Sequence, residues 1–129
     1  MPTALNETAH REEHFEAHIV QQLAAQGWQV GDTAHYDQNA ALYPQDLAAW
    51  VQASQPKAWE KLTARHGAGI TDALVKRMVE RLEKDGTVRV LRRGVQLAGA
   101  GQIDLSESLP EDERDPAACA RYRANILRV

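Results

Sequence analysis

Apolar side chains three and four residues apart mark most of this chain as helical. From Ala9 to Gln26, Phe15, Ile19, Val20 and Leu23 keep that period and Gly27 supplies a stop, which predicts a first helix. From Gly27 to Leu42 the period is lost, so an ordered loop anchored by Trp28 and Tyr36 is expected. "YPQDLAAWVQAS" then opens on Pro44 and puts Leu47, Trp50 and Val51 on one face. "QPKAWEKLTARHG" repeats the device with Pro56, Trp59 and Leu62 and closes at Gly67, giving two short helices that meet at a corner. The most regular stretch runs from Thr71 to Asp85. Leu74, Val75, Met78, Val79 and Leu82 form its buried stripe, Lys76, Arg77, Glu80 and Lys84 lie outside, and Gly86 follows its end.

After Gly86 the pattern changes. "TVRVLRRGVQLAGAGQIDL" is β-branched, partly alternating and broken by Gly99 and Gly101, which predicts a hairpin or two short strands beginning at Thr87. "SESLPEDERDP" reads as an acidic loop. A last helix is expected from Asp115 as cap and Pro116 as first residue, with Cys119, Tyr122, Ile126 and Val129 carrying the period to the final residue. The expected fold is a single mainly helical α+β domain over residues 1–129, with about five helices and a short β-hairpin. The Ala9 to Gln26 and Thr71 to Asp85 helices are expected to pack together, burying Phe15, Ile19, Leu23, Leu74, Met78 and Leu82.

Composition narrows the function classes. The chain has 129 residues with 43% hydrophobic and 26% charged, an ordinary globular mixture. No stretch has signal-peptide or membrane-spanning character, and the single Cys119 excludes an internal disulfide, so a cytoplasmic setting is expected, with Cys119 as a buried small side chain. Fifteen Lys and Arg against eighteen Asp and Glu give a formal charge of −3, which argues against a free-standing nucleic-acid binder.

Three groups of residues carry candidate chemistry. "HREEHFEAH" spaces His10, His14 and His18 by four and matches the His-x-x-Glu-His pattern of inverted zinc peptidases. A peptidase needs a third protein ligand and a cleft, and no second histidine-rich segment offers either, so a solvated polar edge is the expectation. On the same helix a wheel places Glu12 and Glu16 inside the apolar face, where a carboxylate needs a partner, a metal or the rim of a cleft. "VLRRG" gathers Arg89, Arg92 and Arg93 on the expected strand and turn; such a cluster either grips phosphate or forms a solvated face. No P-loop or nucleophile-elbow motif occurs in the sequence.

"HFEAHIVQQLAAQGW", "HYDQNAALYPQDL", "ASQPKAWEKL", "GTVRVLRRGVQL" and "RYRAN" together resemble, in order, the amino-terminal region of the R subunit of type I restriction endonucleases. That family typically reads Glu-x-x-Phe-Glu, Leu-x-x-x-Gly-Trp, Tyr-Asp, Gln-Pro-x-x-Trp, Val-Leu-Arg-x-Gly and Arg-Tyr-x-x-Asn. The resemblance covers about Asn6 to Val129. It implies the first part of a PD-(D/E)xK-type restriction-endonuclease-like domain, cut before the Asp and Glu-x-Lys strands and the helicase-like ATPase motors. The parent would translocate on DNA with ATP, cleave unmodified foreign DNA with magnesium, and assemble with methyltransferase and specificity subunits.

The isolated chain is expected to need no cofactor, to be inactive and to bind DNA weakly through Arg89, Arg92 and Arg93. Aligning Glu-x-x-Phe makes Glu12 the family's first-helix glutamate, a catalytic magnesium-site contributor only in the complete domain. The alternative function is a non-enzymatic helical adaptor derived from that domain.

Overall fold

The structure, a computed structural model, describes residues 4–129, with side chains from residue 8 onward. Its described residues form six α-helices and one two-stranded antiparallel sheet. The chain divides into two compact units: one holds the first helix, the stretch through Asp32 and the last four residues, the other Thr33–Asn125.

In the first unit, α1 spans Ala4–Ala25. Its sequence is rich in Ala, Glu and Gln, strong helix formers, and Gly27 turns the chain at φ 97°. The burial expected on this helix is not found. Phe15 is 66% and Ile19 39% exposed, while Val20 and Leu23 are only half-buried. The rest of the unit is a turn and a few extended residues, too little apolar surface to cover a helix of this length. Glu12 and Glu16 are likewise exposed, so the wheel found a real apolar stripe but not a buried one.

The chain's last residues correct a second expectation. They are extended, not helical: Gln29 N donates to Leu127 O at 2.8 Å, and Val129 N donates back to Gln29 O at 2.9 Å. Arg128 adds Nη1 to Val30 O at 3.0 Å and Nη2 to Gln29 Oε1 at 2.6 Å.

The second unit begins with a turn in which Asp37 Oδ1 accepts from the amides of Asn39 and Ala40, both at 3.0 Å. α2 (Pro44–Ser54) and α3 (Pro56–His66) each start at the proline that predicted them. α4 (Ile70–Asp85) buries Ile70, Leu74 and Met78, with Leu82 half-buried. Trp50 and Val51 of α2 and Leu62 of α3 join them in one core.

Thr87–Arg93 is a helix, α5, and not a strand. Gly86, at φ 83° and ψ 159°, ends α4 and starts α5 in one residue. Val90 N then bonds Gly86 O and Gly94 N bonds Val90 O, so the β-branched residues sit in helical turns and only Val90 is buried. The hairpin itself is present: β1 (Val95–Leu97) pairs antiparallel with β2 (Gly101–Ile103), Val95 opposite Ile103. Val95, Leu97 and Ile103 face the core; Gln96 and Gln102 face outward and bond each other at 2.8 Å. Gln55, between α2 and α3, latches the end of the hairpin, donating to Asp104 O at 2.8 Å and accepting from Asp104 N at 2.9 Å. The indole of Trp50 donates to the same carbonyl at 2.7 Å.

α6 (Pro116–Arg123) has the expected cap, with Asp115 Oδ1 accepting from the amides of Ala117 and Ala118 at 3.1 Å. Asp115→Ala is therefore expected to cost about 1 kcal/mol, read as a lowered midpoint in urea with unchanged slope. The helix stops early because Asn125 is bound elsewhere: its side chain accepts from Glu107 N at 3.0 Å and donates to Glu107 O at 2.8 Å. Cys119 is half-buried, not enclosed as expected, with its sulfur 3.9 Å from Asp112 O.

Candidate nucleic-acid interface

The turn to helix in α5 changes what its arginines can do. On a strand, Arg92 and Arg93 would point to opposite faces; on a helix, positions 89, 92 and 93 share one. All three side chains are exposed and line one open cleft with Asp85, Gly86, Thr87 and Val88, about 560 Å³ in volume. Arg92 and Arg93 occupy the last turn, where the partial negative charge of the helix end favours cations.

That cleft continues. Asp85, Arg89 and Arg93 also border a second cleft of about 320 Å³, which adds Arg77, Arg81, Gln96 and Gln102. Arg77 and Gln96 in turn border a third, of about 600 Å³, which adds Arg65, His66 and Lys76. One furrow therefore runs from the end of α3, along α4 and the outer face of β1, to α5.

Its charge is strongly biased. Seven Arg and Lys side chains line it (Arg65, Lys76, Arg77, Arg81, Arg89, Arg92 and Arg93) against two carboxylates, Glu80 and Asp85. Both carboxylates are already engaged, Glu80 by Arg77 at 3.2 Å and Asp85 by Arg81. Arg77 is further fixed by its Nε bond to Gln96 O at 2.8 Å. Among the described residues, Arg65, Lys76, Arg89, Arg92 and Arg93 have no ion-pair partner. A chain of net charge −3 thus gathers five cations without an ion-pair partner along one furrow, a local bias that the average hides.

Sequence reasoning singled out Arg89, Arg92 and Arg93 and missed the other four. The signal was available on α4, where Lys76 and Glu80, and Arg77, Arg81 and Asp85, recur at intervals of four on its outer side. Arg65 leaves no such trace, because it reaches the furrow from a different helix.

The three arginines and Glu12 belong to different units. Glu12 is exposed on α1, and among the described residues no three His, Cys, Asp or Glu side chains come together as a metal site. No described helix is long and apolar enough to cross a membrane. Exposed guanidinium groups can bind phosphate oxygens by paired charge-assisted hydrogen bonds. Compared with family models, with curated proteins and with solved structures, the chain matches none.

Proposed function

We propose that this chain binds the phosphate backbone of DNA through the furrow ending at Arg89, Arg92 and Arg93, as a module of the kind found at the front of type I restriction R subunits. In that role it would hold DNA for a parent enzyme that translocates with ATP, cleaves with magnesium and works beside methyltransferase and specificity subunits in the cytoplasm. The observation that carries the binding is the set of five unpaired cations along a furrow where, among the described residues, the lining carboxylates Glu80 and Asp85 are each paired with an arginine. The ordered motifs from "HFEAHIVQQLAAQGW" to "RYRAN" support the family reading. Arginine pairs with phosphate whatever the base, so the contacts position the duplex without reading its sequence.

Fluorescence anisotropy with a short labelled duplex tests the binding. Weak binding at low salt is expected, with the logarithm of affinity falling against the logarithm of salt at a slope of about −3 to −4. Absence of binding at low salt, or binding that survives high salt, would count against it. The purified chain is expected to leave supercoiled plasmid intact with magnesium and ATP, since Glu12 alone cannot hold the metals of phosphodiester hydrolysis. Nicking by homogeneous protein would contradict that division of labour.

A second reading, the non-enzymatic adaptor, is favoured by one observation: Phe15 and Ile19 are exposed on the same side of α1. A chain that fails to bind DNA yet is retained by a methyltransferase partner, with retention lost in Phe15→Ser, would establish it instead.

A further inference from the structure

We propose that His10 and His14 on α1 form a chelating site for a first-row divalent transition-metal ion, such as Ni²⁺, Cu²⁺ or Zn²⁺. The two residues lie one helical turn apart, and their Nε2 atoms converge to 3.2 Å. Their rings stand nearly perpendicular, at 81°, with centroids 4.6 Å apart. Two ring nitrogens at that separation can each lie about 2.1 Å from one ion with an N–metal–N angle of roughly 100°, close to the tetrahedral angle preferred by zinc. The helix sets both Cα positions before any ion arrives, so little ordering is required of the chain.

Both side chains are exposed, which leaves the remaining coordination positions to water. Imidazole is a borderline-soft ligand, so the site selects transition metals over magnesium and calcium, which prefer oxygen. The site belongs to the first unit and requires no peptidase chemistry. His18 continues the spacing, but among the described residues it is the rings of His10 and His14 that already converge, and the ion is assigned to that pair.

Isothermal titration of the untagged full chain with Ni²⁺, in a buffer that does not bind metal, tests the assignment. Wild type is expected to bind, and His10→Ala and His14→Ala each to weaken binding by about tenfold or more, because either change turns a chelate into a single contact. His18→Ala should bind as wild type. Circular dichroism supplies an independent reading: Ni²⁺ should raise the thermal stability of α1 helicity in wild type and not in His14→Ala, since an ion that spans one turn binds the helix and not the coil. Ni²⁺ affinity unchanged in both His10→Ala and His14→Ala would overturn the proposal. So would loss in His18→Ala alone, or displacement of Ni²⁺ by an equal concentration of Mg²⁺.

Discussion

Met78→Asp is expected to abolish the cooperative fold of the Thr33–Asn125 unit, or to lower its melting temperature by about 15 °C or more. Met78 is buried on α4 with Ile70 and Leu74, and α4 packs against α2 and α3, which bury Val51 and Leu62. A carboxylate there finds no cation inside the core and must either stay charged without water or bind a proton. Either route costs about 4 kcal/mol or more, a large part of the 5–15 kcal/mol that stabilises an ordinary domain. Met78→Leu keeps volume and polarity and should cost below about 1.5 kcal/mol. Thermal unfolding followed by far-UV circular dichroism checks both, and a Met78→Asp melt matching wild type would show that this face of α4 is not buried.

Gly94→Ala is the other change with a large expected effect, for a different reason. Gly94 has φ 69° and ψ −163°, a conformation closed to residues with a side chain. A β-carbon there would sit 2.2 Å from Ile103 O and 2.5 Å from Gln102 Nε2. Because the carbonyl belongs to the paired strand β2, it cannot move aside without opening the hairpin. Backbone strain and overpacking together are expected to cost about 3–6 kcal/mol. The chemical denaturation midpoint should fall accordingly. Gly69→Ala is the control: Gly69 has an ordinary φ of −85° and open space around it. Chain entropy alone would make Gly69→Ala neutral or slightly stabilising, so equal loss in both variants would mean that the close approach to β2 does not set the effect.

Where the local signals were strong, the sequence was legible. Pro44, Pro56 and Pro116 each open a helix, Gly86 ends the core helix, and the break around Gly99 and Gly101 marks a real hairpin turn. The stretch from Thr87 to Arg93 was not legible, because Val88 and Val90 carry strand propensity while the geometry is set by two glycines with positive φ that bracket it. The end of α6 was misread for a related reason. Asn125 looked like part of a periodic helix, yet its amide satisfies the backbone of Glu107, a long-range partner that spacing does not reveal. On α1, periodicity found an apolar stripe correctly, but a stripe does not state what covers it. The candidate interface was half legible: its three arginines stand together in sequence and Lys76, Arg77 and Arg81 share the outer side of α4 through their spacing, whereas Arg65 joins them only through the packing of α3 against α4.

Under the proposed function, the location of the cations, and not total charge, lets this acidic chain bind phosphate. Two triple variants with the same change in net charge separate these. One carries Arg89→Glu, Arg92→Glu and Arg93→Glu in the furrow; the other carries Lys57→Glu, Arg114→Glu and Arg123→Glu at exposed positions outside it. Duplex affinity measured across a salt series for each is the most direct test. The furrow variant should bind much more weakly at low salt, with its salt slope reduced by about three, while the control keeps the wild-type slope. Equal losses in the two variants would contradict the claim and reduce the interaction to net charge alone.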